Sequence, residues 1–151
     1  MAAVNSFDTF LSNYANVARY LNAQLNTLLT TQHLTFDAFL IMHEIGQSPQ
    51  PLLLMEIAHH HHVSRSAISR QISTLLSHHY IYQQANANDR RQKGLSLTAA
   101  GRQLDQQLIA TMQHTAHQWT TQLGPQRMTA LLNFLADFNS QIINQEVSTN
   151  N

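Results

Sequence analysis

The chain has 151 residues, 43% of them apolar, and its eight basic residues balance eight acidic ones, so the formal net charge is zero. That length suits one domain with a sizeable core, and the absence of cysteine excludes disulfides, thiolate metal sites and cysteine redox sensing. No apolar run approaches the roughly 20 residues of a membrane span, and no basic-then-apolar signal opens the chain, so we expect a soluble, cytoplasmic protein with no membrane partner.

The first predicted element is a long helix, Ser6 to Thr30. Phe7, Leu11, Tyr14, Ala18, Leu21, Leu25 and Leu28 alternate steps of four and three, close to a heptad seam, and Val17 and Leu29 widen the stripe. Such a seam needs a helical partner, in a second chain or in its own core. Thr35 is placed to cap a second helix through Ile45, with Gly46 as its stop and Phe36, Phe39, Leu40, Met42 and Ile45 as its apolar positions. His43-Glu44-Ile45-Gly46-Gln47 begins like a zinc-protease helix, but Gln47 stands where a second histidine is required, and that reading fails. Ser48-Pro49-Gln50-Pro51 is a loop, and Pro51 leads into a short helix ending near His60. His59, His60, His61 and His62 follow one another, and consecutive helical side chains diverge, so the four do not make a single closed metal site.

Ser64 is a good N-cap for the next helix. Val63, Ala67, Ile68, Ile72, Leu75 and Leu76 share one apolar face, while Arg65, Ser66, Ser69, Arg70, Ser73 and Ser77 share the other. No acid occurs from Ser64 to His79. A helix that had only to stay soluble would mix Glu with its basic residues; one without acids suits phosphates, its hydroxyls permit close approach, and Arg can fork onto a guanine edge. A plain solvated face is the alternative for this helix alone. Two short strands follow, Tyr80 to Gln84 and Gly94 to Leu97, joined by a basic tip from Asn86 to Lys93. The outline is a helix-turn-helix with a β-wing, an arrangement that reads DNA: the helix enters a major groove and the tip reaches an adjacent minor groove.

Charge and histidine content follow the same segment. Six of the eight basic residues lie between Ser64 and Arg102 against one acid, Asp89, which makes that segment +5 and the remainder −5. A local basic patch is the electrostatic footprint of phosphate binding. Six of the ten histidines fall between Met55 and Gly101: His59 to His62, His78 and His79. Imidazole titrates near pH 6.5, so acid would tighten DNA binding; affinity that is flat with pH at fixed salt would rule this out.

The residues Asp89-Arg90-Arg91-Gln92-Lys93-Gly94-Leu95-Ser96-Leu97-Thr98-Ala99-Ala100-Gly101 resemble the wing signature of the MarR family of bacterial transcription regulators. That signature is Asp, any residue, Arg, a few residues, then Leu-x-Leu-Thr-x-x-Gly. Val63 to Arg70 is similar to the start of the family's recognition helix, and the flanking helices come in the expected order, so the resemblance spans essentially the whole chain. It implies a mainly α fold with a small β-wing, in one domain, 1–151: a winged helix-turn-helix DNA-binding lobe at 32–101, with dimerisation helices at 1–31 and 102–146. It further implies a homodimer on an inverted-repeat operator in double-stranded DNA, usually as a repressor, often responsive to a small molecule, a metal or oxidation. The cysteine-based peroxide-sensing branch is excluded by composition. No cofactor is expected.

On this reading Ser64, Arg65, Ser66, Ser69, Arg70 and Ser73 face DNA, Arg91 enters the minor groove, Arg90 and Lys93 meet phosphates, and Asp89 orients the wing. The family also implies a short strand near Leu52 and a helix-packing pair at Ile57 and Ala58. His61 and His62 depart from its pattern, standing where an apolar core residue and often a glycine are usual.

Thr98 caps a long helix from Ala99 to Leu123, with Leu104, Leu108, Met112, Ala116, Trp119 and Leu123 on one stripe. Gly124-Pro125 breaks the chain and starts a last helix striped by Met128, Leu131, Leu132, Leu135, Phe138 and Ile142, before a polar tail from Glu146. His114 and His117 are spaced for two ligands on one metal, with His33 and His43 as further candidates; zinc sensors of the family use histidines on this helix, with acid and histidine at the start of the second, where this chain has Asp37 but Ala38. Tyr14, Tyr20, Met42, His43 and Met112 would line an effector pocket of the family's kind, or else serve as core and interface side chains. A winged-helix module that docks another protein, and a zinc- or pH-responsive regulator, are the alternatives. An enzyme is not expected, because no nucleophile elbow, phosphate loop or complete metal motif is present.

Overall fold

Six α-helices and a three-stranded antiparallel sheet make up the computed structural model, which describes residues 2–85, 89 and 92–145, with side chains from Ser6 onward. In chain order these are α1 (Ala2–Thr30), α2 (Phe36–Gln47), β1 (Leu52–Leu53), α3 (Leu54–His60), α4 (Arg65–Ser77), β2 (Ile81–Ala85), β3 (Lys93–Leu97), α5 (Ala99–Leu123) and α6 (Pro125–Phe138), which passes into a π-helical turn, Asn139–Ile143. The mainly α fold with a small β-wing is therefore the one observed.

The second helix is the centre of the core. Ala38, Phe39, Ile41, Met42 and Ile45 are buried on α2, which packs against α1, α4, α5 and β3 at once. Around it close Leu29, Ile57, Ile68, Ile72, Leu75, Ile81, Leu95, Leu97, Leu104 and Leu108. The three expected caps form: Thr35, Ser64 and Thr98 accept from the backbone N–H of Ala38, Ala67 and Gly101 at 3.1, 3.3 and 2.9 Å.

Several local expectations are corrected. Gly46 does not stop the second helix, which runs on through Gln47 until Ser48 N–H donates to the Glu44 carbonyl at 3.2 Å. The glycine is there for packing instead, since a Cβ on it would lie 2.7 Å from Leu97 Cδ1. Pro51 does not open the third helix: Leu52 and Leu53 first pair with Leu95 and Gly94, and the Glu56 carboxylate, accepting from Leu53 N–H at 2.7 Å, starts α3 one residue later. The strand implied near Leu52 is thus present. The hairpin strands are shifted, β2 to Ile81–Ala85 and β3 to Lys93–Leu97, with Ile81 opposite Leu97 and Ala85 opposite Lys93. Val63, expected on the buried face of α4, precedes its cap and is 45% exposed; Phe36 is 42% exposed.

Histidines end three of the helices. His33, His62 and His79 take φ of 56°, 51° and 57°, the left-handed conformation that glycine usually supplies after a helix. Each is followed by a backbone N–H that reaches back across the last turn: Leu34 to the Leu29 carbonyl, Val63 to Ala58, and Tyr80 to Leu75.

Candidate nucleic-acid interface

The outward face of α4 follows from its caps and its burial. With Ile68, Ile72 and Leu75 turned inward, Arg65, Ser66, Arg70 and Ser73 stand exposed and Ser69 is half-buried at the edge. Ser64 is exposed, but its hydroxyl holds the first turn of the helix and lies 3.0 Å from the Ser66 hydroxyl, so it shapes the helix start. Hydroxyl and guanidinium groups thus present a neutral-to-positive face with no carboxylate on it.

The wing hairpin stands beside that helix. Its base is fixed by Leu95 and Leu97, buried on β3, and by the close approach of Tyr80, just before β2, to the start of α5. There the Tyr80 carbonyl accepts from Thr98 N–H at 3.0 Å, and a Cβ on Gly101 would lie 1.9 Å from the same oxygen. Every fixed residue in Leu-x-Leu-Thr-x-x-Gly consequently has a mechanical role. Two leucines hold the strand down, the threonine caps α5, and the glycine lets α5 touch the strand start.

Lys93 is exposed at the first position of β3, and the Asp89 carbonyl accepts from Gln92 N–H at 3.0 Å in the turn before it. Arg90 and Arg91 lie outside the described residues. Between wing and helix runs a groove of about 320 Å³ lined by Leu53, Leu54, Met55, Arg65, Gln83, Gln92, Lys93 and Leu95. The fold therefore brings Arg65 and Lys93 to one groove although 28 positions separate them in sequence. Gln83 and Gln92 line it too. Sequence reasoning passes over them, because glutamine is common in this chain and nothing local marks these two.

The turn before α4 is held from behind. Glu44 on α2 accepts from His60 Nδ1 and, at 2.8 Å, from His61 Nε2, with the His61 side chain 21% exposed. His61 is thus partly buried with a polar partner in place of the family's apolar residue, and His62 adopts the left-handed turn in place of glycine. Next to Glu44, His43 Nδ1 meets Asp105 of α5 at 2.9 Å, and Asp105 is 6% exposed, the buried acid among the described residues.

The residues considered for an effector do not converge. Met112 lines a cleft of about 570 Å³ between α1, α2 and α5, together with Leu21, Leu25, Leu28, Phe36 and Trp119. Met42 is wholly buried in the core and His43 is bonded to Asp105. Tyr14 is 63% exposed, its ring stacked on Phe10, and Tyr20 packs on Trp119 at the cleft's edge with ring centroids 6.3 Å apart. Sequence reasoning misses Trp119 and Phe36 as lining residues, because each also fits the apolar stripe of its own helix. The histidines considered for a metal are likewise apart: His33 stacks on His78 at 5.2 Å and His114 pairs with Gln118 at 3.3 Å, while His117 does not join them. No group of three His, Asp or Glu suited to a metal occurs among the described residues. No helix among them is long and apolar enough to cross a membrane.

The sequence pattern described as "MarR family" matches residues 34–93. No curated protein sequence matches the chain. Among solved structures it is similar to the transcriptional regulator SlyA, with a TM-score of 0.79 at 20% identity over 94% of this chain and 99% of that one. A Staphylococcus aureus MepR–DNA complex gives 0.74 at 16% identity over 88% and 98%. Staphylococcus aureus MarR with salicylate and kanamycin gives 0.73 at 18% identity over 89% and 93%.

Proposed function

We propose that this chain, whose residues 34–93 match the MarR family pattern, is a transcription regulator of that family rather than an enzyme, and that it binds DNA sequence-specifically. The observation that carries the reading is the exposed, acid-free face of α4 set beside a wing whose Lys93 shares a groove with Arg65. The MepR relative was solved on DNA in the same fold, which supports the same docking here. Arg65, Ser66, Ser69, Arg70 and Ser73 read or straddle a major groove; Ser64 holds the helix start. Arg91 enters the minor groove, with Arg90 and Lys93 on phosphates and Asp89 orienting the tip.

The working unit is a homodimer, and a repressor on an inverted repeat. The lobe at 32–101 reads DNA, and helices in 1–31 and 102–146 join two protomers. Support comes from apolar side chains left open in the single chain: Phe7, Phe10, Tyr14 and Val17 on α1, and Leu131, Leu132, Phe134, Leu135 and Phe138 on α6, which has no buried residue. Two recognition helices then meet successive major grooves about 34 Å apart. A small apolar or aromatic effector in the cleft around Met112 and Trp119 would release DNA by changing that spacing, since the cleft joins α5 to the lobe. The regulator works in the cytoplasm, where its operator is.

A salt titration tests the reading. Binding to a duplex operator should weaken steeply with salt, by about 0.9 logarithmic units per decade for each phosphate neutralised, and Lys93→Ala should lower that slope by about one. A flat salt dependence would favour a winged helix that docks another protein instead.

A further inference from the structure

Glu44 accepts from two imidazoles that are consecutive in the chain. His60, the last residue of α3, reaches Oε1 through Nδ1; His61, the C-cap, reaches Oε2 through Nε2 at 2.8 Å. The side chains of Glu44 and His61 are mostly buried, at 25% and 21% exposure, while His60 keeps 55% of its surface in solvent. Together they pin the helix-turn-helix turn to α2, just ahead of the Ser64 cap that starts the recognition helix.

A carboxylate can only accept, so His60 carries a proton on Nδ1 and His61 on Nε2 whatever their charge. Protons taken up in acid therefore land on the other nitrogens, Nε2 of His60 and Nδ1 of His61. The charge of the trio passes from −1 to 0 to +1 while its hydrogen bonds persist. The neighbouring charges are committed elsewhere or basic. His43, beside Glu44 on α2, is paired with Asp105 of α5 at 2.9 Å. On α3, Glu56 accepts from Leu53 N–H at 2.7 Å, and the His59 ring stands edge-on to His60 at 6.1 Å. The turn itself adds His62. α4 contributes Arg65 and Arg70 and no acid, β3 contributes Lys93, and β1 carries no charge.

We propose that Glu44, His60 and His61 form a proton-operated switch at the helix-turn-helix turn, which raises DNA affinity as pH falls by converting a local negative charge to a positive one. The inference rests on the DNA-binding reading above: His60 and His61 immediately precede the Ser64 cap of the helix set against DNA, and the helix ahead of a recognition helix crosses the phosphate backbone. The sign follows from linkage: phosphates favour the protonated imidazoles, so binding takes up protons and affinity rises as pH drops. A tenfold tightening of one proton by DNA gives about tenfold in DNA affinity.

The test is operator binding by the full-length protein, followed by anisotropy of a labelled duplex from about pH 8 to 5.5 at fixed salt with chelator present. Wild type should tighten about tenfold over that range. His60→Asn with His61→Gln keeps amide donors where Nδ1 and Nε2 now stand but cannot titrate. This double variant should match wild type at high pH and lose the acid response. Glu44→Gln removes the negative charge and should bind tighter at high pH, with its response displaced to lower pH. His59→Gln with His62→Gln should retain the wild-type response. A wild-type response in the His60/His61 variant, or an unaltered profile in Glu44→Gln should the double variant fail to fold, overturns the switch. Flat affinity in the wild type overturns it as well, with DNA binding left standing; no specific binding at any pH overturns both.

Discussion

Gly101 shows how one missing atom determines a junction. Its ideal Cβ would sit 1.9 Å from the Tyr80 carbonyl oxygen, a backbone atom that Thr98 N–H and, at 3.1 Å, the Thr98 hydroxyl also hold in place. Gly101→Ala must therefore push α5 off the wing, and we expect it to cost about 3 kcal/mol or more in chemical unfolding. His43→Ala acts by a different route: it leaves the buried Asp105 without its imidazole and should cost about 1–3 kcal/mol in the same assay. On DNA, Arg70→Ala should weaken operator binding by about tenfold to a hundredfold with the dimer intact, and Arg91→Ala likewise; unchanged affinity in a shift assay would sink either role. The exposed arginines and serines of α4 are legible in the sequence, because helical spacing alone sorts them from the buried face. The His43–Asp105 and His61–Glu44 pairs are not, because nothing local couples residues 62 and 17 positions apart.

At the scale of elements, the helix ends are where histidine content finds part of its explanation. His33, His62 and His79 occupy left-handed positions after α1, α3 and α4, where a β-carbon costs roughly 1–2 kcal/mol. His79→Gly should consequently raise stability by up to about 1 kcal/mol, net of the extra freedom glycine gains in the unfolded chain, while His79→Val should lower it by about as much. Thermal unfolding of the pair distinguishes backbone conformation from any loss of the ring. Periodicity locates all the long helices and hydroxyl caps locate three of their starts, because both signals are local. Gly46 and Pro51 mislead for the same reason. The backbone habit of each suggests a helix boundary, whereas Gly46 makes room for Leu97 and Pro51 precedes a strand that exists only by pairing with β3.

For the whole molecule, the open apolar face decides what the chain must do next. A helix such as α6, with Leu132 and Phe134 each at least 58% exposed, is not stable company for water, and the proposed dimer would cover this stripe and the seam read in α1. Phe134→Asp should give a monomer in sedimentation and lower operator affinity by at least about a hundredfold, since a single half-site loses the gain from binding both. The winged-helix fold class is legible because a contiguous signature, Asp89 to Gly101, lies in one stretch of chain. The cleft beside Met112 and Trp119 is not, since three distant helices build it.

The central claim is sequence-specific reading of DNA by two recognition helices, and selecting bound duplexes from a random pool tests it most directly. We expect enrichment of an inverted repeat whose half-sites lie one helical turn, about 34 Å, apart. A pool that remains random after repeated rounds, at low salt and across pH, would contradict the account.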